Sequence, residues 1–189
     1  MSAAGTFMNK RINWESIVRK LGIDKSGVVA FRYAGEAIDE ILGRAQIRGI
    51  VDYYVHRNST VGSELARGVL NRLRSWAAMQ RCYVIYKSKQ DIQTRRRAVE
   101  LLRSIGDKRV LPWIKEFLRD PDQEIQNWGI GALDMLLFSG LVNPMEAKEI
   151  IQIAEKHKSE FVRDTMNKIK IVMKMAVQIP SRRGTVGDK

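Results

Sequence analysis

The sequence has little of the chemistry that holds small secreted or metal-binding domains together. Cys82 is the only cysteine among 189 residues, so no disulfide can form within the chain, and we expect a reducing, cytoplasmic environment. The two histidines, His56 and His157, are too few for a His/Cys metal cage. We therefore predict that the protein uses no metal and no cofactor.

Long hydrophobic runs are also missing. The most apolar stretch, residues 132–142, contains Asp134, Ser139 and Gly140, and it is shorter than the roughly 18 apolar residues that span a bilayer. Residues 1–9 have no apolar core of the kind found in signal peptides. The sequence predicts a soluble protein with no membrane partner and with flexible segments at 1–9 and 178–189.

The sequence motifs of common enzyme classes are absent as well. It contains no glycine-rich phosphate loop, no Gly-x-Ser-x-Gly, no His-Glu-x-x-His and no Cys-x-x-Cys. Gly129-Ile130-Gly131 has no third glycine and no preceding strand, so we interpret these glycines as sites of close helix packing. Cys82 lies in an apolar stripe without a neighbouring histidine, which indicates a buried, unreactive thiol. We predict no catalytic residue.

Helical periodicity, in contrast, runs along most of the chain. Over residues 92–105 apolar side chains recur at helical spacing with charged ones between them, which predicts an amphipathic helix that ends at Gly106. Asp107 and Asp122 are predicted to cap the next two helices, and Asn143-Pro144-Met145-Glu146 has the residues of a helix start. Further helices are predicted at 14–21, 34–42, 47–55 and 65–76. The expected fold class is all-α.

The helices repeat. A two-helix unit cannot bury its apolar face alone, so repeated units must stack to form a continuous core. We therefore predict a right-handed α-solenoid of antiparallel helix pairs in one domain over 10–177, with the clearest repeats at 78–120, 121–157 and 158–177. Two shifts in residue number reveal the repeat. A shift of 31 matches Thr94, Ala98, Leu102 and Ile105 with Ile125, Gly129, Leu133 and Leu136. A shift of 36 matches Ile125, Leu133 and Leu136 with Phe161, Ile169 and Val172.

Residues 96–136 bring these features into one order: a helix, Gly106-Asp107, a second helix with Pro112 near its start, and Asp120-Pro121-Asp122. This order resembles the short HEAT-like repeats of the phycobilisome-lyase type. The resemblance implies an α-solenoid whose second helices line a concave face. The chain departs from the pattern at Gln126, where such repeats usually carry arginine, and at Gly129 and Gly131, where alanine is usual.

Two functions follow from related families. Residues 78–87 followed by 105–118 resemble HEAT-like bacterial immunity proteins, which implies that the partner is a toxin domain whose active site this protein would occlude. Some HEAT-like solenoids are instead DNA glycosylases, for which Trp113, Trp128 and Asp134 are the only candidates here. Trp128 and Asp134 are six residues apart, about 240° around a helix, which argues against a shared pocket. The resemblance therefore favours a protein that is not an enzyme.

The charge of +12 is unevenly distributed along the chain. Residues 65–103 hold ten basic residues and two acids, a net charge of +8, whereas residues 116–164 carry −5 and residues 165–189 carry +5. A nucleic-acid groove would need one sign throughout its footprint, because each phosphate contact needs a cation. The alternation suits a protein partner with mixed charge.

Two hypotheses remain open. In the first, a monomeric, non-enzymatic protein binds a protein partner; the predicted contact residues are Trp113, Lys115, Glu116, Arg119, Asp120, Glu124 and Trp128. In the second, the protein binds nucleic acid through phosphate contacts from a basic patch. The residues of that patch are Arg74, Arg81, Lys87, Lys89, Arg95, Arg96 and Arg97.

Overall fold

The computed structural model describes residues 13–20, 34–57 and 60–178. Within these ranges the chain forms ten α-helices and one 3₁₀ turn and no β-strand, so the all-α prediction is confirmed. No described helix combines the length and the apolar character needed to cross a lipid bilayer. The helices are α1 (Trp14–Lys20), α2 (Ala34–Leu42), α3 (Arg44–His56), α4 (Val61–Leu73), α5 (Trp76–Lys87), α6 (Ile92–Ile105), α7 (Leu111–Arg119), α8 (Gln123–Phe138), α9 (Lys148–Glu155) and α10 (Glu160–Gln178).

The chain groups into two compact units, Met1–Arg81 and Cys82–Lys189. The prediction of one continuous domain over 10–177 stays a prediction. The flexible segment predicted at 1–9 lies outside the described residues, as does that at 178–189 apart from Gln178, which ends α10.

In the first unit, α2, α3 and α4 pack on one another. Their core contains Ile47, Val51 and Leu70, which are fully buried. The helix predicted over 65–76 is interrupted, because Arg74 takes a left-handed conformation (φ 45°) that ends α4 and Trp76 begins α5. The hydroxyl of the intervening Ser75 donates a hydrogen bond of 2.6 Å to the buried carboxylate of Asp39.

In the second unit, α8 is the central helix and packs against α6, α7 and α10, while α9 packs against α7 and α10. The cap predicted at Asp122 forms, because its carboxylate accepts a hydrogen bond of 3.0 Å from the Ile125 amide. Asp91, for which no cap was predicted, accepts one of the same length from the Thr94 amide and caps α6. Asp107 caps the 3₁₀ turn that precedes α7. Asn143 and Glu146 exchange the two hydrogen bonds of a capping box, although regular helix begins only at Lys148.

The repeat spacing needs one correction. The predicted shift of 36 carries Ile125 to Phe161, yet Phe161 is exposed and the next residue, Val162, is fully buried. The shift between α8 and α10 is therefore 37, because the connection between the paired helices is one residue longer in the last repeat. The shift of 31 holds, because the four residues of α6 and the four residues of α8 that it matches are all buried.

A repeated hydrogen bond marks the same register. Arg95, Gln126 and Arg163 each stand fourth in α6, α8 and α10. Each donates to a backbone carbonyl at or just after the end of the preceding helix: Arg95 to Tyr86 (2.9 Å), Gln126 to Asp120 (2.6 Å) and Arg163 to His157 (2.6 Å). The last carbonyls of a helix have no partner within it, so one polar position closes three successive helix ends.

Candidate functional site

Four of the predicted contact residues, Trp113, Lys115, Glu116 and Arg119, lie on α7, which meets α5. The rings of Tyr83 and Trp113 stack with their centroids 4.3 Å apart. The carboxylate of Glu116 accepts hydrogen bonds from the Tyr83 hydroxyl (2.6 Å) and from the Lys87 ammonium (2.8 Å). Trp113 and Glu116 therefore both contact Tyr83, and Lys87, from the predicted basic patch, contacts Glu116.

Internal contacts already use the charges of this surface. Burial, and next the hydrogen bond to Glu116, raise the pKa of Tyr83 to about 12. The hydrogen bond from Lys87, followed by that from Tyr83, holds the pKa of Glu116 below its usual value. Lys115 pairs with Glu149 on α9, whereas Arg119 is exposed. Of these predicted residues, Arg119 presents an exposed charge, and Glu116 is bound within the fold.

The structure corrects the prediction that Asp120 contacts a partner. Its side chain is only 4% exposed, and it accepts hydrogen bonds from the Arg95 guanidinium (2.8 Å) and from the Asp122 amide (2.9 Å). A carboxylate buried in this way cannot reach a partner. Asp120 instead connects the start of α6 to the loop between α7 and α8.

The predicted basic patch around Arg95, Arg96 and Arg97 is also corrected. Arg95 pairs with Asp120, and its guanidinium lies 5.3 Å from the centre of the Tyr86 ring. Arg96 makes two hydrogen bonds to Asp122 (3.0 and 2.7 Å) and an ion pair with Glu124 (3.0 Å). Because three acids face these two arginines, these two of the ten positive charges counted over residues 65–103 are neutralised where the helices meet. Arg97 is half-buried.

The remaining basic residues of the prediction do not share a single environment. Arg74 and Arg81 belong to the first unit, where Arg74 caps α4 and Arg81 donates a hydrogen bond of 2.7 Å to Asp52. Lys87 pairs with Glu116, and Lys89 is exposed. Of the seven predicted residues, Lys89 therefore comes nearest to a freely exposed cation.

A second surface, which we call the α8–α10 groove, lies between those two helices. It consists of two cavities of about 440 and 300 Å³ that meet at Asp134 and Thr165. The first cavity is further lined by Leu137, Phe138, Lys168, Ile169, Val172 and Met173, and the second by Arg103, Glu124, Asn127, Trp128, Ile130, Gly131 and Phe161. Apolar side chains form most of its walls.

The groove overturns one argument from spacing. Trp128 and Asp134 line the same cavity, although their separation in sequence argued against it. The reason is that the cavity spans the open side of α8 and is closed by side chains from α6 and α10, so it reaches residues about 120° apart on one helix. Trp128 and Glu124, predicted as part of the Trp113 surface, belong to this groove instead.

Arg103 reaches the groove from α6 because of a glycine. A Cβ atom on Gly131 would lie 3.2 Å from Cδ and Nε of Arg103, so the missing side chain leaves a path for the arginine across α8. Its guanidinium lies 5.5 Å from the centre of the Trp128 ring, a cation–π contact. Gly129 has a different role, since a Cβ there would lie 2.8 Å from Cβ of Phe117, and this confirms the predicted close packing of helices at that glycine.

Sequence reasoning missed most of the groove. Phe138, Phe161 and Val172 are strongly exposed apolar residues, but an apolar residue at helical spacing predicts burial unless the neighbouring helix is known. Two signals were present: Gly131 where such repeats carry alanine, and Asp134 inside the most apolar stretch of the chain. Arg103 has no signal of its own, because its position depends on Gly131 of another helix.

Comparison with protein-family models and with curated proteins found no match to this chain. Among the described residues, no three His, Cys, Asp or Glu side chains are grouped so that they could hold a metal ion. Cys82 is buried, as predicted.

Proposed function

We propose that this chain is an α-solenoid of HEAT-like repeats that binds another protein through the α8–α10 groove and has no catalytic role. The solenoid is supported by the contacts within the second unit, where α6, α8 and α10 follow one another and α7 packs on α9. The polar residue that closes the preceding helix at the fourth position of α6, α8 and α10 supports the same repeat.

The observation that carries the binding function is the apolar surface of the groove. Phe138 is 77% exposed, and Phe161 and Val172 are each 51% exposed, although all three line cavities. Apolar side chains that surround a concave surface mark sites where a macromolecule or ligand excludes water. A protein partner supplies apolar side chains to such a surface, whereas a nucleic acid presents mainly phosphates.

A toxin inhibitor of the immunity type is the narrower form of this proposal. In that form the groove would hold a segment of the toxin so that its active site is covered. The nucleic-acid hypothesis has less support, because Arg95 and Arg96 are paired with acids and Glu124 and Asp134 line the groove.

The test is affinity capture from the native host with the parent protein and two variants. Phe138→Asp places a charge in the groove, and Met145→Asp places one at an equally exposed residue (77%) outside the groove lining. We expect the parent and Met145→Asp to capture the same protein, with or without nuclease treatment, and Phe138→Asp to lose it. A protein that Phe138→Asp still retains, or that nuclease removes, would contradict the proposal.

A further inference from the structure

The two cations that line the α8–α10 groove form no ion pair with an acid in the part of the chain that the structure describes. Arg103 contacts the Trp128 ring, and neither Arg103 nor Lys168 forms an ion pair with any residue of the described ranges. Arg95 and Arg96, earlier on the same helix as Arg103, are both paired with carboxylates. The charges at the closed helix junction are thus satisfied within the fold, and those at the groove are not.

Arg103 is exposed, but contacts within the fold favour its position in the groove before any partner arrives. The ring of Trp128 supports its guanidinium, and the space beside Gly131 accommodates its side chain across α8. An arginine that is already positioned loses less conformational entropy when it pairs, and its planar group suits a carboxylate. Positioned arginines of this kind are frequent among the residues that dominate binding energy.

Lys168 lies on the other side of the groove. Under the shift of 37 residues it corresponds to Gly131, beside which Arg103 crosses α8, so the two cations stand at similar heights along the groove. Glu124 is held by Arg96, and Asp134 forms no ion pair within the described residues. Glu124 shares Arg96 with Asp122, so the groove offers a partner two cations and one carboxylate, Asp134, that no ion pair within the described residues occupies.

The length of the groove fits a helix. Its lining runs from Glu124 to Phe138 on α8, about 21 Å at the rise of an α-helix. Apolar side chains recur along this length, from Trp128 to Phe138, and the cations Arg103 and Lys168 line the groove with them. An amphipathic helix of about 14 to 16 residues can lay its apolar face in such a groove and place charged residues along both edges.

We propose that the α8–α10 groove binds an amphipathic helix of a partner protein whose apolar stripe is bordered by acidic residues that pair with Arg103 and Lys168. This inference rests on the proposed function, because it names the part of the partner that the groove recognises. Complementary charge gives such a complex its specificity and its association rate more than its total affinity.

The test uses a displayed library of helical peptides about 16 residues long, with a fixed apolar stripe and randomised border positions. It is selected on the parent, on Arg103→Glu/Lys168→Glu, and on Arg119→Glu/Lys156→Glu, which has the same charge change at exposed residues outside the groove lining. We expect Asp and Glu at the borders for the parent and for the control, and Lys and Arg for the groove variant. The parent's selected peptide should bind the groove variant about tenfold more weakly.

Lys168→Glu alone is the second variant, because Lys168 is exposed and its replacement does not disturb the Trp128 contact. It should shift the border preference partly. Enrichment without acidic borders, equal enrichment on all variants, or no enriched peptide would overturn the inference, even if capture of a host protein still depends on Phe138. A labelled 20-nucleotide thymidine strand that binds the parent and is lost in both Phe138→Asp and Arg103→Glu/Lys168→Glu would overturn it as well.

Discussion

The two sides of α8 differ in what they meet. On one side, α6 and α7 pack closely, and the polar groups at their ends are joined by the Arg95–Asp120 and Arg96–Asp122 pairs. On the other side, α10 leaves two cavities, exposed aromatic rings and two cations that form no ion pair within the described residues. Residues of the same kinds are thus paired within the fold where the neighbouring helix supplies acids, and they face the groove where it does not.

The largest expected difference between the two sides concerns apolar truncation. Leu102→Ala removes a fully buried side chain of α6 and should lower the free energy of unfolding by about 2 to 5 kcal/mol. Val172→Ala removes a half-exposed side chain from the groove and should cost less than about 1 kcal/mol. Urea denaturation followed by circular dichroism measures both. Equal losses would show that the groove side is packed as tightly as the side against α6.

Removing a buried acid should lower the free energy of unfolding somewhat less than Leu102→Ala does. Asp120→Ala leaves the Arg95 guanidinium without its carboxylate, and because Arg95 is 23% exposed we expect a loss of about 2 to 3 kcal/mol. Glu124→Ala is the control, since its carboxylate is 47% exposed and pairs with Arg96; it should cost at most about 1 kcal/mol. Denaturation of the two variants checks the order. A larger loss for Glu124→Ala would contradict the structural role assigned to Asp120.

These two acids also show how far the sequence predicts the molecule. Helical periodicity and helix caps depend on residues that are close in sequence. Together with the shift of 31 residues, they predicted the helices of the second unit, although α9 begins a few residues later than expected. Arg95 and Asp120 are 25 positions apart in sequence, so the net charges summed over separate segments treated both side chains as unpaired. The register of α10 was wrong by one residue, because the length of a connection is not visible in an apolar pattern.

Substitution of the two glycines of α8 compares the packing on its two sides within one helix. Gly129→Ala places Cβ 2.8 Å from Cβ of Phe117, and the expected strain exceeds the gain of about 1 kcal/mol in helix propensity, for a net loss of about 1 kcal/mol. Gly131→Ala meets only the flexible side chain of Arg103 at 3.2 Å, so the propensity gain should leave its stability equal to or above that of the parent. Thermal denaturation separates the two outcomes, and a destabilised Gly131→Ala would mean that Arg103 cannot move aside.

The smallest expected effect concerns pH. The hydrogen bond from Arg96 holds the pKa of Asp122 below its ordinary value of 3.8, so the ionised carboxylate stabilises the fold above that value. This contribution is lost as the pH falls below 3.8 and through the lower pKa of the folded state. Arg96→Met should therefore make stability less dependent on pH below about 4 and should lower stability only slightly at neutral pH. Arg103→Met removes a cation that forms no ion pair within the described residues, so this variant should keep the pH dependence of the parent. Denaturation of the parent and of both variants between pH 2 and 7 tests this. If both variants change the acid slope equally, the charges on the two sides of α8 are not distinguished by their internal partners.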